Sequence, residues 1–409
     1  MSYDCMTKKD PCECIPNPPT FTGPRQINGE MIDNSSIFFG GLCTPEEFKL
    51  DNANFWTELS VNGTICVPEV KPCIESIDSI NTKIEILKTE VIITPAIYRN
   101  VTDDSIDVTN SVRNLEGKIT TGRKLIVEGL LCFSVTYVST NLNQSVHSFH
   151  GQIPFSAYII VPYQIGRTDS LDINYQIASC LEDVMVKAVN ERCISICAAF
   201  VLQAIPSDKM CDDSYLTDSG IPCNFNINSN CNHEYPCMDH EPMFYGVCSL
   251  KKIKPILDVT QVNRNTSNCQ WTELFVPEIL NIPDHKPDIE QILSVTSNLD
   301  IICQKVILSP QAERNHENLV LTGKKLVIEA VLRQRITYVS TSDCHSVHSA
   351  HFDIPLSALI VVHPNTNLTD KFRITACIEH IYACALNPRQ IFKNTTLFLK
   401  ADNITCINP

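Results

Sequence analysis

Two stretches of the chain share one pattern of apolar and polar positions. Residues 124–139 read KLIVEGLLCFSVTYVS and residues 325–340 read KLVIEAVLRQRITYVS. Both are rich in β-branched and aromatic side chains, which suit a pleated backbone. In the second, Ile336, Tyr338 and Ser340 alternate with Thr337 and Val339, and charges fall at Arg333 and Arg335. A period of two predicts a strand with one wet face. Alternation puts Glu128 and Glu329 on that wet face. The run VHSFHGQIPFSAYIIV (146–161) repeats the strand pattern, and its Pro154 predicts a bulge or a strand start. Thr-Gly just before Lys124 and Lys325 reads as a hairpin turn. Short helices are expected after Pro72 and Pro287, to Ile80 and Leu293, and a longer one over 179–192. The fold class is therefore mainly β: two antiparallel sandwich- or barrel-like domains with few short helices.

The pattern recurs because the chain contains itself twice. WTEL occurs at 56–59 and 271–274, KPCIE at 71–75 meets KPDIE at 286–290, and VIITP at 91–95 meets VILSP at 306–310. After an insertion in the first copy, the register resumes. TGRKLIVEGLLCFSVTYVSTNLNQSVHSFHGQIPFSAYIIV (121–161) then lies on TGKKLVIEAVLRQRITYVSTSDCHSVHSAHFDIPLSALIVV (322–362), and IASCLE (177–182) on ITACIE (374–379). This gives two homologous domains, 41–205 and 246–409, with an arm (1–40) and a linker (206–245). Neither arm nor linker has enough apolar sequence to order itself alone.

Charge and cysteine content narrow the function. The net charge of −14 repels phosphate backbones and argues against nucleic acid as a partner. No apolar run approaches the ~18 residues of a membrane helix, and the N-terminus lacks the apolar core of a secretory signal. Yet the chain holds 21 cysteines, an odd number. Under the repeat alignment only Cys43/Cys248 and Cys180/Cys377 are shared. Cys66 meets Asn281, Cys73 meets Asp288, Cys132 meets Arg333, Cys303 meets Lys88 and Cys344 meets Asn143. Most cysteines are thus laid over the fold rather than required by it. Cys5, Cys12 and Cys14 of the arm, Cys211, Cys223, Cys231 and Cys237 of the linker, and Cys344 are the candidates for cross-links between chains.

HSVHSAHFDIP (345–355) resembles a metal site, with His345, His348 and His351 three apart. In a strand, neighbours at that spacing point to opposite faces and cannot share an ion. The twin QSVHSFHGQIP keeps His147 and His150 but has Gln144 where the second copy has His345. The four shared histidines read as parts of the fold; His345, beside Cys344, remains specific to one copy. The linker cysteines with His233 and His240 lack the close pairing of a strong zinc motif. No metal and no cofactor is assigned. No nucleophile elbow, phosphate loop or dinucleotide fingerprint occurs, so no enzyme is expected.

Three blocks, occurring in order and twice, carry a family resemblance: WTELFVPEILNIPDHKPDIEQI with its Trp271 (Trp56 in the first copy), TGKKLVIEAVLRQRITYV, and SVHSAHFDIPLSALIV. Together they resemble the SPOCS domain of spore-coat and spore-envelope proteins. The resemblance implies a structural protein of the exosporium, coat or an appendage. It would be made in the mother-cell cytoplasm, assemble with copies of itself, and be locked by disulfides once exposed to oxidants. The alternative is a morphogenesis adaptor that docks another coat protein; a zinc-binding protein is the third reading.

Overall fold

The computed structural model describes residues 25–27, 30–32, 37–43, 48, 55–96, 114–207 without 166, 242–248, and 270–404 without 316–318 and 343. The candidate cysteines at 5, 12, 14, 211, 223, 231 and 237, and the linker histidines, lie outside these residues. Each repeat is a two-sheet sandwich. In the first repeat, β3 (Phe38–Gly40), β5 (Ile74–Ala96), β6 (Thr121–Ser139) and β7 (Val146–Ile160) form a four-stranded sheet in that order. Facing it are β10 (Asn174–Ala188), β11 (Cys193–Ser207) and β4 (Trp56–Cys66). The second repeat has the same plan. There β12 (Met243–Tyr245), β14 (Ile289–Ala312), β15 (Leu321–Ser340) and β16 (Val347–Val361) face β13 (Trp271–Asn281), β18 (Gln390–Asn403) and β17 (Phe372–Asn387). Among the described residues the strand pairings are antiparallel except for the edge strands β3 and β12, which run parallel to β5 and β14; an isolated parallel bridge also joins Val247 to Ile378. Two small hairpins stand apart: β1 (Arg25–Ile27) with β2 (Glu30–Ile32), and β8 (Gln164–Ile165) with β9 (Thr168–Asp169). A single 3-10 turn, Ser170–Asp172, is the helical element of the described residues.

Four expected features take another form. The segments after Pro72 and Pro287 are strands, because β-bulges break their alternation. Register shifts at Ile74/Ser76 and Ile77/Ser79 put Ile74, Ile77 and Ile80 on one buried face. That spacing of three imitates a helix. Ile289, Ile292 and Val295 repeat the device in β14. The helix expected over 179–192 is strand β10 and a turn. A bulge between Leu181 and Asp183 brings Leu181, Val184 and Val186 to the core. Thr-Gly also lies within strands rather than in a hairpin turn: Gly122 and Gly323 take φ of 82° and 89° beside the shifts at Ile93/Ala96 and Leu308/Gln311. Pro154 sits mid-strand, opposite Leu130 in unbroken register. It is tolerated because β7 is the sheet edge, where one side of the backbone needs no ladder donor.

The first core is one continuous apolar cluster drawn from both sheets. The second divides into two. In its interior stand Glu278, Gln334, Lys393 and Thr395, where the first repeat has Gly63, Phe133, Ile196 and Ala198. Gln334 donates to Glu278 at 2.7 Å, and Lys393 lies 3.8 Å from the same oxygen. Burial pushes the Lys393 amine down to about 8 and raises the Glu278 carboxyl, so both groups shift toward neutrality.

Paired volumes differ between the repeats. Gly129 lies under Phe155, and a Cβ there would sit 2.4 Å from the Phe155 ring and 2.7 Å from the Glu85 carbonyl. The twin pair is Ala330 and Leu356. Gly129→Ala is expected to lose about 1–3 kcal/mol in urea unfolding. Adding Phe155→Leu should recover part of that loss; no recovery would show that the Glu85 carbonyl, not the ring, sets the limit.

Candidate functional site

The most unusual surface is one that is no longer exposed. In β6 the inward face is formed by Leu125, Val127, Leu131 and Phe133, as alternation requires. The opposite face, expected to be wet, is buried as well: Lys124, Ile126 and Leu130 are 0% exposed and Glu128 is 1%. The expectation for Glu128 is therefore overturned. The three-stranded sheet of the second repeat lies over the four-stranded sheet of the first, with β13 against β7 and β17 against β5. The chain is thus a stack of four sheets, and β6 and β18 are covered on both sides.

This interface is closed by charge as well as by apolar contact. Lys124 Nζ lies 2.5 Å from Glu273 Oε1 and 2.7 Å from Glu379 Oε2, all three side chains within 2% exposure. The two carboxylates hold the Lys124 ammonium above its ordinary range despite burial. Burial raises Glu379 to about 7 against the pull of Lys124. Glu128 accepts from Asn394 Nδ2 at 3.0 Å and from the Ser156 hydroxyl, and burial outweighs both bonds, raising it to about 8. Beside it, His380 Nε2 lies 3.4 Å from Glu90, and that hydrogen bond pulls Glu90 down to about 2. Tyr158 packs on Phe275 at 5.0 Å. Asn114 donates to the Trp271 carbonyl at 3.0 Å. Trp271 is 1% exposed and stacks on Phe398, whereas its twin Trp56, on the uncovered end of the stack, is 46% exposed.

The histidines serve the strand ends. His147 and His348 each share a 2.8 Å hydrogen bond with the serine two residues back, and each tilts against Tyr137 or Tyr338. Those tyrosines donate to the carbonyls of Pro72 and Pro287. His150 and His351 are exposed. His345 takes φ of 45° and lies 2.5 Å from Glu290; Gln144 takes the same φ and donates to Glu75 at 2.8 Å. The extra histidine therefore keeps a contact that both repeats make. Its neighbour Cys344 is exposed, and bonds from Ser342 and Ser346 lower its thiol. Among the described residues no three side chains of metal-ligating type converge on one point.

The described cysteines fall into three settings. Cys43–Cys180 is a disulfide that ties the edge of one sheet to the other. At the twin positions Cys248 and Cys377 are hydrogen-bonded thiols on the same frame. The Cys43 N–H donates to the Leu181 carbonyl at 2.9 Å, and that of Cys248 to the Ile378 carbonyl at 2.8 Å. Cys66–Cys193, which the alignment marked as unshared, is a second disulfide between paired ends of β4 and β11. Its twin is a 3.0 Å hydrogen bond from Gln390 to Asn281. Nearby, Arg192 donates to Cys73 Sγ at 3.5 Å, as Arg389 donates to Asp288 at 3.0 Å. The third setting is the reduced thiols at unshared positions, including exposed Cys303 and Cys344 and half-buried Cys197.

The family model described as SipL, SPOCS domain matches residues 73–188 and 288–386, one match in each sandwich. No curated protein and no solved structure matches the chain.

Two outcomes follow from this geometry. A carboxyl at about 8 in the folded state and 4.5 otherwise keeps a proton that the unfolded chain has lost, so stability falls as pH rises through that window. Glu128→Gln should therefore raise stability at pH 8 by about 1–3 kcal/mol, with little change at pH 4, in melting curves at the two pH values. Peptide mapping of air-oxidised protein, blocked with alkylating reagent under denaturing conditions, should also recover Cys248 joined to Cys377. Alkylation of both, with Cys43–Cys180 intact, would refute that pairing.

Proposed function

Because the chain belongs to the SipL, SPOCS-domain family and is thereby a sporulation-related protein, we propose that it is a self-assembling structural protein of the endospore surface, in exosporium, coat or appendage, held by disulfides between subunits. The observation that carries this reading is the placement of its thiols. The scaffold closes twice on the same backbone frame, while reduced cysteines stand at exposed positions that the twin fills with other residues. In a reducing cytoplasm such thiols stay reduced and idle. On a spore surface that meets oxygen after release from the mother cell, they are cross-linking groups. The protein partner is a second copy, with other coat or exosporium proteins as further neighbours. No residue is assigned a catalytic role, and no cofactor is required.

Electron microscopy of the recombinant full-length chain, purified under reduction and then oxidised in air, tests this. Ordered sheets, cages or fibres are expected from this chain alone. Non-reducing gels should show a ladder that collapses to monomer with reductant. Monomer in both lanes would refute inter-subunit cross-linking, and the absence of any array would refute self-assembly.

A further inference from the structure

The two repeats dock through unlike faces. The first offers the outer face of its four-stranded sheet, and the second offers the outer face of its three-stranded sheet. Such a heterologous contact leaves one face of each kind unused at the two ends of the stack. The unused faces carry the same recognition groups as the buried ones. On β15 of the second repeat, Lys325, Val327, Glu329 and Val331 occupy the positions of Lys124, Ile126, Glu128 and Leu130. None of the four is buried. At the other end, Glu58 and Glu182 of the first repeat occupy the positions of Glu273 and Glu379, the two carboxylates that hold Lys124. Both are exposed, as is Trp56 in the place of Trp271. Among the described residues nothing covers either face.

We propose that copies of the chain stack head to tail, the second repeat of one docking its four-stranded face on the three-stranded face of the next copy's first repeat, as the repeats dock within the chain. Lys325 then enters between Glu58 and Glu182 of the neighbour, and Trp56 becomes covered. This rests on the assembly reading and specifies its geometry as an open chain. With sheets about 10 Å apart, four layers give an axial repeat of roughly 40 Å per copy.

The same superposition pairs two cysteines. Inside the chain, Lys88 and Asn394 both neighbour Glu128, the first by strand register and the second by its hydrogen bond to the carboxylate. Their twins are Cys303 and Cys197. Cys303 already donates to Glu329 at 3.2 Å, and stacking brings Cys197 of the next copy against the same carboxylate, beside Cys303. Both thiols are reduced, and neither position is a cysteine in the other repeat. Oxidation joins them: two S–H bonds break, one S–S bond forms, and two electrons and two protons pass to molecular oxygen, which becomes hydrogen peroxide.

The test uses full-length protein, with one batch isotopically labelled so that linked peptides from different copies are distinguishable. Oxidised assemblies should yield labelled–unlabelled peptides joining Cys197 to Cys303, and images should show the ~40 Å repeat. Lys325→Glu, at a position outside the sandwich core, should slow assembly by about tenfold or more, and Glu58→Lys with Glu182→Lys should restore it in that background. Assembly that is indifferent to Lys325→Glu, or cross-links that never join Cys197 to Cys303, would overturn this interface while leaving self-assembly standing. Failure of the unmodified chain to assemble at all would refute both.

Discussion

One buried ammonium organises this molecule. Lys124 is withdrawn from water between Glu273 and Glu379, and an ion in that position is tolerable only if its partners are present. Its partners come from the other repeat. The sheet carrying Lys124 therefore cannot bury its outer face against any apolar surface without loss; it needs a surface with two carboxylates at the right spacing. Ile126 and Leu130 supply the area, while Lys124 and Glu128 supply the register. This division of labour sets the order of the sheets in the stack.

The repeat was legible in the sequence, and so were the family likeness and the strands β6, β7, β15 and β16. What could not be read was the covering of β6. Alternation reports that one face of a strand differs from the other; it does not report whether a second sheet covers the polar face. A signal did exist, since Ile126 and Leu130 share a face with Lys124 and Glu128, and a truly wet face has little use for two large aliphatic residues. The helical readings failed for a different reason. Bulges at the starts of β5 and β14, and in β10, shift parity by one, so buried residues recur at three instead of two.

Comparing the repeats separates what the fold requires from what has been added. Arg192 and Arg389 both pin three carbonyls at the sandwich end, so the guanidinium belongs to the scaffold. The disulfide beside Arg192 does not, because Asn281 and Gln390 close the same end with a hydrogen bond. The polar group around Lys393 is an addition of the opposite kind, placed where the first repeat has Gly63, Phe133, Ile196 and Ala198. It exchanges packing for groups that each have few permitted partners.

The Cys66–Cys193 link has a mechanical meaning. It joins paired ends of β4 and β11 across a sequence separation of 127, closing a covalent loop. Tension entering the first repeat along its chain passes through that bond and cannot draw out the strands inside the loop. The second repeat closes the same point with one amide hydrogen bond and extends first. Pulled from its own two ends, the chain thus pairs a stiff repeat with a yielding one, and the second gives way before the strands enclosed by the disulfide are drawn out.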